Sequence, residues 1–177
     1  MSFRGLTMAS SPAIDNLLGR VKGADGISRL GGKDEEVEKW LSEAAEINPT
    51  TDPGDWADDN KAKDLAEGVW EVAYAPHIHT MQKILGVEFA PIRYSLYARP
   101  GGGRVMISNV HYKGPIVGEG WLNTAGGWVS LDKKTVRVTW SKFWWDAGAS
   151  LEAGPSAAPE GDAVGLVQVP NRPRTPT

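Results

Sequence analysis

Between Leu65 and Trp145 the chain alternates apolar and polar residues in short runs, cut roughly every ten residues by tight-turn signals. Val69–Tyr74 sets Trp70, Val72 and Tyr74 on one side, and Ile92–Ala98 sets Ile92, Tyr94 and Leu96 against Arg93, Ser95 and Tyr97. A period of two is the signature of a strand, because successive side chains leave opposite faces of the backbone. Pro100 with Gly101-Gly102-Gly103 marks a hairpin into Arg104–Tyr112, and Gly114-Pro115 turns into Ile116–Asn123. Gly126-Gly127 leads to Trp128–Leu131, and Asp132-Lys133-Lys134 to Thr135–Trp144. Short strands at such intervals, joined by tight turns, argue for a meander that closes as a barrel or sandwich. The expected fold is mainly β: an antiparallel up-and-down barrel over residues 65–169.

The flanks read differently. Residues 1–64 carry helical spacing. Ser10-Ser11-Pro12 supplies a start for Ile14, Leu17, Leu18 and Val21, with Gly23 as the stop. From Asp34 to Glu46, Val37, Trp40, Leu41 and Ala44 form one apolar stripe behind an acidic first turn. These helices are expected to pack outside the barrel. Beyond Asp146 the chain is rich in Gly, Ala and Pro, and Val164–Val169 offers a closing strand. The three prolines of residues 170–177 predict a disordered tail.

Composition narrows the function classes. The chain has no cysteine, which excludes disulfides, thiolate metal sites and a cysteine nucleophile within it. A net charge of −3 without any Lys/Arg run argues against nucleic acid. No apolar run reaches the ~18 residues a bilayer span needs, so the chain is expected not to be transmembrane. The first thirteen residues hold Arg4 and no acid, a transit-like composition on a short segment. Eight Trp against three Phe is an unusual balance that suits a bulky core or an aromatic-lined pocket.

The candidate ligand-binding residues are Trp70, Val72, Tyr74, Ile92, Tyr94, Leu96 and Trp140, with Gly118 and Gly120 leaving room on their strand. In a small barrel these either line an apolar pocket or pack on each other and fill it. Arg93, Arg99 and Arg104 would stand at the barrel mouth, able to clamp an anionic head group. His77-x-His79 in an extended segment, with His111 and a carboxylate such as Glu88 or Glu119, is the candidate metal or acid/base cluster. Solvated loop histidines are the plainer reading. Phe143-Trp144-Trp145 must send at least one ring outside the core, toward a membrane or partner or beneath the N-terminal helices. No G-x-S-x-G elbow occurs, and the Gly101–Gly103 run precedes a strand rather than a helix, which excludes a phosphate loop there.

Gly68-Val69-Trp70 opening the meander resembles the G-x-W of lipocalin-like barrels, in which Gly permits a tight bend and Trp plugs the narrow end. Asn48-Pro49-Thr50, an acidic linker and Leu65–Tyr74 resemble the plastid lipid-associated proteins, or fibrillins, as do Ile107–Val110 and Gly120–Asn123. The likeness covers about residues 34–145. That family's C-terminal D-L-R-I-x-R segment is missing, and Gly165–Val169 stands in its place. The resemblance implies a lipocalin-like fold and binding of a lipid, isoprenoid, quinone or pigment. It also implies a plastid location, at stroma, thylakoid surface or lipid bodies. A resident cofactor is not expected. Two other expectations stand beside this one: a filled barrel that docks to a membrane-protein complex, and a metal-dependent enzyme using His77, His79 and His111.

Overall fold

The structure is a computed structural model that describes residues 11–22, 32–47, 66–99, 103–132, 135–160 and 166–168. The expected disordered tail, the Asn48-Pro49-Thr50 stretch and most of the acidic linker lie outside the described residues.

Both N-terminal helices form where their caps sit. Ser11 Oγ accepts the Ala13 amide (3.3 Å) at the head of α1, Pro12–Lys22. Asp34 caps α2, Glu35–Glu46: its Oδ1 accepts the amides of Glu36 and Val37 at 3.1 and 3.2 Å. Those amides would otherwise be orphaned at the helix start. The opposite oxygen of Asp34 accepts from Arg20 at 2.9 Å, which ties the helices together. The amide of Val37, then the Arg20 guanidinium, hold the Asp34 carboxyl below the usual carboxylate range. Of the expected stripe, Val37 is buried, Trp40 and Ala44 are half-buried, and Leu41 is exposed. The backbone amide of Asp34 donates to the Tyr74 hydroxyl (2.9 Å), and this bond links the helices to the chain that follows β1.

The sheet runs in chain order: β1 Gly68–Glu71, β2 Glu88–Ala98, β3 Arg104–Gly114, β4 Gly118–Asp132, β5 Thr135–Ala147 and β6 Leu166–Gln168. Each of the first five strands is antiparallel to its neighbour, as the turn spacing demands. The expected barrel does not close among the described residues. β1 is only four residues long and pairs with β2 alone. β6, the strand expected to close the barrel, instead runs parallel to β5, pairing Trp144 with Leu166 and Trp145 with Val167. Two short strands therefore stand at opposite edges of an open sheet.

A third helix, α3 Pro76–Leu85, replaces the extended or looped segment expected between β1 and β2. Its punctuation is local: Pro occupies the first turn, where its missing N–H costs nothing. Gly86, at φ +63°, donates to the Gln82 carbonyl (2.9 Å) and ends the helix in the left-handed conformation that favours glycine. At the start of β1, Gly68 has φ +138°, so the tight bend expected there needs glycine.

Candidate ligand-binding faces

Strand register sorts the side chains into two faces. Arg93, Asn109, Asn123 and Trp144 form one cross-strand row, and His111, Trp121 and Asp146 form the next. On the other face Trp70, Tyr94, Ser108, Thr124 and Phe143 make a row flanked by two more. One is Leu96, Met106, Gly126 and Trp140; the other is Ile92, Val110, Leu122 and Trp145.

The first face is sealed where these two rows lie. Trp121, Trp144 and Asn123 have no exposed surface, and Asp146 and His111 are buried beside them. Its polar groups form chains. Asn109 Nδ2 donates to Asn123 Oδ1 and Asn123 Nδ2 to Asp146 Oδ2, both at 2.8 Å. The Asp146 carboxylate also accepts the Ser156 amide (2.9 Å) and hydroxyl (2.6 Å). Buried polar groups are tolerated only when paired in this way. The segment after β5 provides the cover, since Trp121 Nε1 donates to Ser150 O (3.2 Å) and Lys142 Nζ to Pro159 O (2.7 Å). Trp144 Nε1 is buried without an acceptor among the described residues.

His111 belongs to this same face. Its Nδ1 lies 3.0 Å from the Ala90 carbonyl, which the bulge between Phe89 and Ile92 releases from the β2–β3 ladder. Its Nε2 lies 3.1 Å from Glu119 Oε1, and its ring meets Trp121 edge-on with centroids 5.0 Å apart. The Leu151 amide, then His111, lower the Glu119 pKa. The histidine cluster does not assemble. His77 and His79 sit two positions apart on α3, where the helical rotation points them in different directions, whereas an extended strand would align them. Among the described residues no three His, Asp or Glu side chains gather as metal ligands.

The second face carries the expected ligand-binding residues. Trp70, Ile92, Tyr94, Leu96, Gly120 and Trp140 share it. It is buried along its middle and open at its sides: Ile92 and Ser108 are buried, whereas Trp70 is 50% exposed and Trp140 47%. Trp70 therefore does not plug a barrel end. On an edge strand it has neighbours on one side only, and its Nε1 donates to the Ala66 carbonyl at 2.9 Å. Val72 and Tyr74 follow β1, and the Val72 amide still donates to Ile92 O at 2.9 Å.

The glycines do not leave the expected space. Gly118, at φ +72°, shapes the turn into β4. A Cβ on Gly120 would meet the Tyr112 hydroxyl at 2.5 Å, and that hydroxyl accepts from Trp145 Nε1 at 2.7 Å, so Tyr112 fills the room Gly120 provides. The Phe143-Trp144-Trp145 run divides as alternation requires: Trp144 is sealed, Trp145 is half-buried and Phe143 is exposed. The cover over Trp144's face is the segment following β5, in place of the N-terminal helices.

Beside the β2–β3 hairpin lies a cavity of about 310 Å³ lined by Arg99, Arg104 and Arg137 with Trp128, Val129 and Thr139. The Arg104 guanidinium stands 5.9 Å from the Trp128 ring centroid. Arg99 and Arg104 were legible candidates in the sequence. Arg137 was not: only the Val129–Arg137 register brings it there. Arg93 lies elsewhere, over Trp121 at 5.6 Å and 3.8 Å from Glu71. No helix among the described residues is long and apolar enough to cross a membrane. Comparison of the chain with protein-family models, with curated proteins and with solved structures finds no match, so a functional reading rests on these residues alone.

Proposed function

We propose that this chain binds an apolar small molecule, of lipid or isoprenoid type, in the trough formed by the second face of the sheet. The carrying observation is the exposure pattern of that face, with its middle buried and its Trp70 and Trp140 sides open. Aromatic side chains at the margins of an apolar floor supply large contact area at low entropic cost. The open sheet is read as a half-barrel of the lipocalin kind, with the trough where a closed barrel would have its lumen. The likeness to plastid lipid-associated proteins agrees with this and suggests a plastid setting.

The test uses an uncharged probe. Titration of the full chain with dodecanol is expected to shift Trp fluorescence, and a Leu96→Glu variant, with a carboxylate in the trough, is expected to lose the response. Organic extraction of the purified protein should also release a bound lipid or pigment. An unresponsive spectrum together with an empty extract would overturn the proposal.

A second reading is favoured by a separate observation. Ile84 and Leu85 at the end of α3, and Ile116 and Val117 in the β3–β4 turn, are exposed, Ile116 by 95%. The two segments adjoin: a Cβ on Gly114 would touch Val117 and Val87 side chains at 3.1 Å each. Lys83 and Lys113 flank this tip, which suits shallow contact with an anionic membrane surface. Sedimentation with phosphatidylserine vesicles tests it; unaltered sedimentation of an Ile84→Ser, Ile116→Ser double variant would remove its support.

A further inference from the structure

We infer that residues 148–155 form a flap over Trp121 and His111, latched by the Glu119 side chain and released by acid. The flap belongs to the sealed face and is independent of ligand binding in the trough.

Its base is pinned and its tip is clipped. At the base the Asp146 carboxylate accepts the Ser156 amide at 2.9 Å and hydroxyl at 2.6 Å, which draws the two ends of the loop together. The Gly148 amide donates to the Glu119 carbonyl at 2.8 Å. At the tip the Leu151 amide donates to Glu119 Oε1 at 3.1 Å, the same oxygen that lies 3.1 Å from His111 Nε2. Beside it the Ser150 carbonyl accepts Trp121 Nε1 at 3.2 Å. A compact loop whose ends are held together can lift without unravelling what flanks it. Gly148 at φ +76° and Gly154 at φ +70° bracket the tip, both in the left-handed region where glycine bends the chain freely.

Acid reaches the tip before it reaches the sheet. Leu151, Glu152 and Ala153 are exposed, and residues 148–160 form no helix or strand. The β3–β4 and β4–β5 ladders are backbone bonds with no ionisable group in them. The Leu151 amide is the foremost cause that holds the Glu119 carboxyl below the ordinary carboxylate range, ahead of His111. That linkage is reciprocal: closure favours the ionised carboxylate, so the ionised carboxylate favours closure. Closure has its full support above the ordinary carboxylate value and loses it as pH falls through the folded value. Other charged groups surround the latch. His111 and Lys113 on β3 attract the carboxylate. Asp146 on β5 pairs with Trp121, Arg93 on β2 stacks over Trp121 at 5.6 Å, and Glu152 follows Leu151 on the flap itself. Opening uncovers the Trp121 indole N–H and the His111 ring, an aromatic hydrogen-bonding surface that is buried while the flap is down.

The experiment follows amide hydrogen-exchange protection in the full chain between pH 7 and pH 3.5, alongside far-ultraviolet circular dichroism. Leu151 protection is expected to fall about tenfold or more, while the β3–β4 ladder amides and the dichroism hold. Glu119→Gln keeps a neutral acceptor for the Leu151 amide, so its Leu151 protection is expected to be independent of pH. Loss of protection at Leu151 and in the ladder together, or none at Leu151 before the sheet unfolds, overturns the flap, and the parent chain alone decides this if the variant folds poorly. A pH-dependent loss at Leu151 that persists in a folded Glu119→Gln variant overturns the latch.

Discussion

The two faces of this sheet are made from the same strands, residue by residue in alternation, yet they are finished in opposite ways. One holds Asn109, Asn123, His111 and Asp146 and is closed by a segment of its own chain. The other holds mostly apolar residues and leaves Trp70, Trp140 and Phe143 open. Intuition would bury the oily face and wet the polar one. What decides is whether polar groups find partners: on the sealed face nearly all do, so burial adds specificity at little cost. The apolar margins left open at Trp70, Trp140 and Phe143 are less favourable for the isolated chain, and that is the kind of surface a ligand improves.

The contrast breaks or sharpens by substitution. The largest effect is expected for Trp121→Ala, at about 3–5 kcal/mol of stability, because a fully buried indole leaves a cavity. Trp140→Ala, on the open face, should cost under about 1 kcal/mol. Urea denaturation of both measures the contrast, and equal losses would abolish it.

Next comes Asp146→Ala, expected to cost about 2–3 kcal/mol by removing the carboxylate that accepts from Asn123 Nδ2 and the Ser156 amide. Faster hydrogen exchange at the Ser156 amide would accompany it; an unchanged rate would mean that the covering segment is held by other contacts.

Tyr112→Phe should cost about 1 kcal/mol, since Trp145 Nε1 loses its acceptor while the packing against Gly120 is kept. The smallest effect concerns pH. Glu119 has a lowered pKa in the folded chain, so the stability it adds is fully present above the ordinary carboxylate value. That stability fades as pH falls from there through the folded value. Glu119→Gln should flatten this acid limb in denaturation midpoints between neutral pH and the acid transition; an unchanged limb would place the sensitivity elsewhere.

Much of the open face could be read directly, because strand alternation alone set Trp70, Tyr94 and Leu96 together, and the register agrees. The sealed face was not legible. Asn109, Asn123 and Asp146 are far apart in sequence, and polar residues in strands ordinarily read as solvent-facing; only cross-strand register makes them neighbours. Arg137 was hidden for the same reason. The helix α3 was missed although Pro76 and Gly86 bracket it, because a strand-rich context outweighed a ten-residue helical signal. The parallel placement of β6 had no local sequence mark, since parallel pairing depends on how the intervening chain crosses.

The bond between Asp146 and Ser156 has a consequence for synthesis. A chain leaving the ribosome completes its five-strand meander when Ala147 emerges, but Trp121 and Trp144 then still face water. Their shelter arrives only with residues made afterwards. Nascent chains stalled just after Ala147 should thus display the hydrophobic surface that chaperones recognise, and release of a dozen more residues should hide it.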